Sequence, residues 1–215
     1  MPPTFVRHLI ARPGESLAPA AGLYDYVLAA DGLYLRVMRQ GLRLCLPIAP
    51  SLVRGLAGIE PELAFTLPRV PKALTLQLLE RARAERDAQG RPIEVLYHLS
   101  WRERWQLEKP RQIQSRGAVE PLGPFAGTSY ATYLIEVHSH HELALHHFSS
   151  IDDASEGSKC RLYALLSDLF AAPRLALRLN AYGYRWDLPA ALAFELPETL
   201  ADAAQSGTSE AGFLA

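Results

Sequence analysis

Five of the chain's seven histidines fall within ten positions, in the stretch EVHSHHELALHHFSSIDD at residues 136–153, and two aspartates close it. Imidazole and carboxylate are the nitrogen and oxygen ligands of zinc, so the stretch reads first as a metal site. Its HELALH segment resembles a helical H-E-x-x-H motif, but His141 and His146 are five apart. At about 100° per residue they point roughly 140° away from each other on a helix, and that motif needs a separation of four. His138 and His140 are better placed. They close the apolar run TYLIEV, which reads as a buried strand, and alternate strand residues share a face with Cα atoms about 6.5 Å apart. Two imidazoles so arranged reach one zinc at about 2.0–2.1 Å each. The following segment offers Asp152 or Asp153 as a third ligand, and three protein ligands leave a position for water, as in a catalytic site. S-x-x-D before a helix is also an ordinary capping box, with Ser149 or Ser150 closing the first turn. Taken singly, the H-x-H and the cap are both commonplace; their succession in this order is what points to a site. His141, His146 and His147 read as loop residues, and His8 and His98 have no supporting context.

The elements that must position these residues change character along the chain. LYDYVLA, LYLRVM and LRLCLPI are separated by ADG and RQG, the signature of hairpins, so residues 23–48 read as a three-stranded meander. PKALTLQLLERARAERDAQG has proline at its start, apolar positions at Leu74, Leu78 and Ala82, and Gly90 as a stop, which predicts an amphipathic helix. Two β-like segments follow, PIEVLYHL and TYLIEVHSH, then a helix start near SSIDDASE, then the strand-like runs CRLYALLS and RLALRLNAY. Helices alternating with strands predict an α/β fold. The expected organisation is a small β-rich N-terminal region over 1–69, an α/β domain over 70–190, and a mobile tail over 191–215, whose last part is small and polar.

Composition narrows the function. Apolar residues make up 49% and charged residues 21% of 215, with a formal net charge of −1. That balance gives no basis for capturing nucleic acid or an anionic membrane by charge. No apolar run is long enough to span a bilayer, and the N-terminus lacks the pattern of a secretory signal. Cys45 and Cys160 are the only cysteines, which excludes a disulfide framework and a thiolate metal site. A cytoplasmic protein is the expectation.

His138-Ser139-His140 followed by Ser149 and Asp152 resembles the H-x-H…S-x-x-D core of the JAMM/MPN (Mov34/PAD-1) zinc metallopeptidases, which cleave at the C-terminus of ubiquitin and ubiquitin-like proteins. More narrowly, HSHH…FSSIDDASE…RLYALLSDL…LALRLNAYGY is similar to the bacterial branch called PRTRC system protein A, whose members accompany a ThiF-related adenylating enzyme and a ParB-related protein. The resemblance spans roughly residues 70–185. It implies a mixed sheet flanked by helices of the cytidine-deaminase-like type, one Zn²⁺ per chain on His138, His140 and Asp152, and Glu94 as general base. Ser149 would stabilise the oxyanion. Glu94 lies 44 positions before His138, where the family places its glutamate; Glu136, on the same strand face as the histidines, is the alternative, supporting a ligand. The spacing departs from the family: eight residues, not seven, separate His140 from Ser149. A one-residue insertion in HELALHHF accounts for it, and Ser149/Asp152 needs a smaller insertion than Ser150/Asp153. The implied partners are a ubiquitin-like protein or its conjugate, with E1-like and E2-like proteins of the same cassette, and no nucleic acid or membrane. An extended substrate tail would pair with the sheet, with the Trp101–Ser129 segment, including Trp105 and Phe125, as a source of contacts. The rival reading is an MPN-type scaffold that does not use metal. A zinc deaminase would need P-C-x-x-C, which is absent.

Overall fold

Strands dominate the chain, and alternation along them decides which side chains are buried. The computed structural model describes residues 5–123, 126–140, 148–157 and 159–206. The fold is α/β with mixed sheets, rich in strand and poor in helix, and the chain divides into two units between Pro68 and Arg69.

The first unit is a five-stranded sheet in chain order: β1 (Val6–Ile10), β2 (Tyr24–Ala29), β3 (Gly32–Arg39), β4 (Leu42–Pro50) and β5 (Glu62–Phe65). The meander expected from the ADG and RQG gaps is its centre, with β2, β3 and β4 paired antiparallel. β1 adds in parallel beside β2, and β5 antiparallel beside β4. Gly32 is required where it stands, because a Cβ there would lie 2.5 Å from the Ala49 carbonyl oxygen. Val27, Ala29, Tyr34 and Cys45 form an apolar cluster with Ala11. Asp25 is fully buried and held by Arg7 and Arg36.

The second unit opens with α1 (Lys72–Ala84), which follows Pro71 and buries Thr75, Leu78, Leu79 and Ala82. The helix ends at Ala84 and not at Gly90. Asp87 is the reason: its carboxylate accepts the backbone N–H groups of Gln89 and Arg91 at 2.9 and 2.8 Å. That side chain offers the backbone a turn in place of another helical step.

Beyond it lie β6 (Leu96–Arg102), β7 (Arg104–Glu108), β8 (Gln112–Gln114), β9 (Val119–Pro121), α2 (Ser129–Thr132) and β10 (Ile135–Ser139). α3 (Ser150–Glu156), β11 (Cys160–Ser167), β12 (Arg174–Ala181), β13 (Tyr184–Leu188) and β14 (Ala201–Asp202) complete the unit. The large sheet runs β13-β12-β11-β10-β6-β7, with β14 also on β12, and β8 and β9 form a separate hairpin. Among the described residues of this sheet only β10–β11 and β12–β14 pair in parallel. β10 and β11 are connected through α3, as a parallel pair requires a crossover. Trp101 and Trp105 face each other across the β6–β7 pair at 5.5 Å, and Trp105 is buried. Phe125 lies outside the described residues.

The two faces of this sheet differ chemically. On one, Leu99, Ile135, Leu162 and Leu179 stand in one register row and Tyr97, Val137, Ala164 and Leu177 in the next, all buried. The other face carries the row His98, Glu136, Tyr163, Arg178, again directly opposite from strand to strand. His138 stands in the neighbouring row, across from Leu96 and Leu165.

The segment after residue 190, read from composition as a mobile tail, is corrected over its described part. Phe194 and Leu200 are buried, Phe194 forms a β-bridge with Val70, and β14 pairs with β12. The apolar run ALAFEL at 191–196 outweighs the polar residues behind it. No helix among the described residues is long and apolar enough to cross a membrane.

Candidate metal centre

His138 stands on β10, buried on both sides by neighbouring strands, and His140 follows one residue past its end. The His140 N–H donates to the Leu166 carbonyl at 2.8 Å, which carries the extended chain on to the second histidine. Asp152 comes from α3. Ser149 caps that helix: its hydroxyl accepts the Asp152 N–H at 3.3 Å, while Asp152 Oδ2 accepts the Ser149 N–H at 2.6 Å. This reciprocal box aims the aspartate back towards β10. The capping and metal-ligand readings of S-x-x-D are therefore not exclusive, because the box is what orients Asp152.

α3 is fixed to the sheet by ion pairs beside Asp152. Glu156, buried, accepts from Arg178 at 2.6 and 3.1 Å and from Arg185 at 3.3 Å. Asp153 pairs with Arg178 at 2.9 Å, and the same guanidinium stacks on Phe148 at 3.9 Å. Asp153 thus belongs to the arginine cluster, and Ser150 is the first helical residue, exposed. His138, His140 and Asp152 come together, each offering a ligand atom within 4.8 Å of the others.

His138 Nε2 lies 3.1 Å from Asp152 Oδ1, and His140 Nε2 lies 3.8 Å from Oδ2. Ligands at about 2.0–2.1 Å from a tetrahedral ion are spaced roughly 3.3 Å apart, so both separations suit one small cation. Direction points the same way. His138 Nε2 is buried and makes no aligned hydrogen bond among the described residues despite its closeness to the carboxylate, as expected of two donors aimed at a third centre. A buried polar atom left in this state is costly unless something satisfies it. Together these residues could hold a metal ion.

Glu94 reaches the site through Ser139, the residue between the two histidines. The Ser139 N–H donates to the Val95 carbonyl at 3.0 Å, and the Val95 N–H donates to Ser139 Oγ at 3.1 Å. Beside it, Glu94 N–H donates to the Ser115 carbonyl and Gln114 donates to the Glu94 carbonyl, both at 2.8 Å. Glu94 itself is buried. Burial pushes its carboxyl up to about 7, with His138 pulling it down and Asp152 adding to the rise. A carboxyl that titrates near neutrality is matched to taking and returning a proton. Burial alone would raise Asp152 too, but contact with His138 and the Ser149 bonds hold it well below the usual carboxylate range. Burial opposes the His138 imidazolium, and the Asp152 carboxylate overcomes it, raising the imidazole above its ordinary value.

The other histidines divide. His8 stacks on Tyr26 at 5.5 Å in the first unit. His141, His146 and His147 lie outside the described residues. His98 is fully buried, hydrogen-bonded to Ser129 at 2.8 Å and 3.5 Å from Glu136. Sequence reading missed it, although its position four residues after Glu94 on a β-like segment puts both on one face. It missed Ser139 too, since nothing in an H-x-H pattern marks the middle residue. No protein-family model matches the chain, and no curated protein matches it at a significant level.

Proposed function

We propose that this protein is a zinc-dependent peptidase of the JAMM/MPN type that processes the C-terminal tail of a ubiquitin-like protein or its conjugate. The observation that carries the reading is the convergence of His138, His140 and Asp152 on one point, with the orphaned Nε2 of His138 facing it, beside a buried glutamate that titrates near 7. A scaffold has no use for that combination.

His138, His140 and Asp152 would hold Zn²⁺, which supplies Lewis acidity and makes a water nucleophilic at neutral pH. Glu94 takes the proton as water attacks the scissile carbonyl and returns it to the leaving nitrogen, which becomes the free amine. The Ser149 hydroxyl donates to Asp152 Oδ2 at 2.8 Å. Its role in catalysis is to turn that one hydrogen to the developing oxyanion, while its backbone N–H keeps hold of Asp152. The substrate tail would add in extended form to the sheet, so that main-chain hydrogen bonds give affinity. E1-like and E2-like proteins would be its functional neighbours.

The test is zinc content and cleavage measured on the same preparations. Wild type and Asp153→Ala should hold about one zinc per chain, and His140→Ala and Asp152→Ala should hold none. Glu94→Gln should keep its zinc and lose about 10²–10⁴-fold in cleavage of ubiquitin-like fusions. Wild type without zinc after repletion removes the metal reading. Zinc without cleavage of any fusion leaves the scaffold as the better account.

A further inference from the structure

Behind the proposed metal site lies a polar cluster that the mechanism above does not use. Glu136 sits two residues before His138, on the same face of β10, and is 7% exposed. It is not one of the converging ligands. Its row neighbour His98 and the adjacent Tyr133 are both fully buried. Three atoms in this cluster, Glu136 Oε2, His98 Nε2 and the Tyr133 hydroxyl, are buried without an aligned hydrogen bond among the described residues. A carboxylate kept out of water this way is expensive unless its charge is used.

The surroundings fix where that charge sits. A carboxylate only accepts, so His98 Nε2, 3.5 Å from Oε2, carries its proton on the side facing Glu136. His98 Nδ1 is then the acceptor, and it takes the Ser129 hydroxyl at 2.8 Å. The ring is also clamped flat against Tyr133, with centroids 4.0 Å apart at 15°, and Arg161 covers the opposite partner of that stack, 3.6 Å from the Tyr133 centroid. Ser129 belongs to α2, so this short helix reaches the metal face through one histidine.

We infer that Glu136 is a positioning residue for the metal centre: a fixed buried anion, held by His98, Ser129 and Tyr133, that neutralises charge behind His138 and raises the affinity of the site for a dication. The inference rests on the metal reading above. Two neutral imidazoles and Asp152 around a dication leave one positive charge in a partly buried place. Glu94 cannot balance it permanently, because it exchanges a proton during turnover. Glu136 can, and it lies on the same strand as the ligand it supports. Charged residues just outside a ligand shell typically alter metal affinity by about 10–100-fold.

The test is zinc affinity by chelator competition on the full chain, with cobalt absorption spectra of the same proteins. Glu136→Gln keeps the shape and removes the charge. It should weaken zinc about 10-fold or more, with the metal-free melting temperature held or raised and the cobalt band still that of a site with the same three ligands. Ser129→Ala keeps the charge and loosens its holder by removing the hydrogen bond to His98 Nδ1, and it should weaken zinc by about threefold, a smaller share of the same effect. Affinity in Glu136→Gln within twofold of wild type overturns the inference while leaving the peptidase proposal intact. If Glu136→Gln fails to fold, unchanged affinity in Ser129→Ala overturns it equally. Wild type that binds no zinc removes the metal reading and this inference with it, and the wild-type arm alone reveals that case.

Discussion

Asp25 and Asp152 are both buried or half-buried aspartates between two basic side chains, one in each unit, and their surroundings are finished to different degrees. Asp25 receives four charge-assisted hydrogen bonds, at 2.6 and 2.9 Å from Arg7 and at 2.6 and 3.0 Å from Arg36. Burial alone would raise its carboxyl, and the two guanidinium groups win, so it lies below its ordinary value. Asp152 is also held low, yet the basic group nearest it, His138, has a ring nitrogen with no aligned partner among the described residues. The difference is chemical. Arginine donors cannot be exchanged for a metal, because they never give up their protons. Imidazole donors can, so a site built from them stays open to a cation. A saturated buried charge contributes to stability, and an unsaturated one is kept for a ligand.

That contrast is broken most directly by removing each carboxylate from metal-free protein and measuring stability in urea. Asp25→Ala leaves two guanidinium groups facing one another at a buried position and should cost ~3 kcal/mol, the low end for a broken buried pair because Arg7 and Arg36 retain some exposure. Asp152→Ala should cost only ~1 kcal/mol, the worth of its part in the cap, since His138 and His140 can then become neutral. Equal losses would mean that the two aspartates do the same structural work.

A second and smaller effect comes from Glu94, where burial outweighs the pull of His138. Its folded value of about 7 lies above the ordinary 4.5. Between those values the folded chain holds a proton that the unfolded chain has released. Stability therefore falls as pH rises through this window, opposite in sign to the contributions of Asp25 and Asp152, by ~2 kcal/mol. Glu94→Gln removes the slope. Metal-free wild type and variant should unfold alike near pH 4, and the variant should be the more stable at pH 8. Parallel pH profiles would contradict the placement of Glu94 as a buried, uncompensated acid.

That His138, His140 and Asp152 come together was legible because strand periodicity and helix capping both act over a few residues. H-x-H at the end of TYLIEV requires one face of a strand, and S-x-x-D before a helix requires a box; both requirements are local. Which aspartate joins the histidines was not local. Asp153 is taken by Arg178 and Arg185, which arrive from β12 and β13 more than twenty positions later in the chain. The N-terminal meander was readable from its Gly turns, whereas β1 and β5 depend on partners outside it. The end of α1 was set by the Asp87 turn and not by the more conspicuous Gly90. His98 is distant in sequence from Ser129 and Glu136, and it meets Glu136 because β6 and β10 pair in one register.

Ser139 gives the finest probe of the comparison, since it joins the saturated backbone of the sheet to the open site. It is fully buried, and its side chain turns away from the metal face, because neighbouring strand residues point to opposite sides. There Oγ accepts the Val95 N–H, and Val95 is also fully buried. Ser139→Ala leaves that N–H without its acceptor, at a cost of ~1 kcal/mol. The two candidate ligand histidines stay where β10 and the Leu166 carbonyl put them, so zinc content should not change. Glu94, next to Val95, loses half of the pair that fixes its backbone, and a small misplacement of a proton-transfer group can slow a reaction by about tenfold or more. The expected outcome is therefore intact zinc with cleavage reduced about tenfold. A loss of zinc in Ser139→Ala would show instead that the serine positions the ligands, and that Glu94 is held from the β8 side, through Gln114 and Ser115.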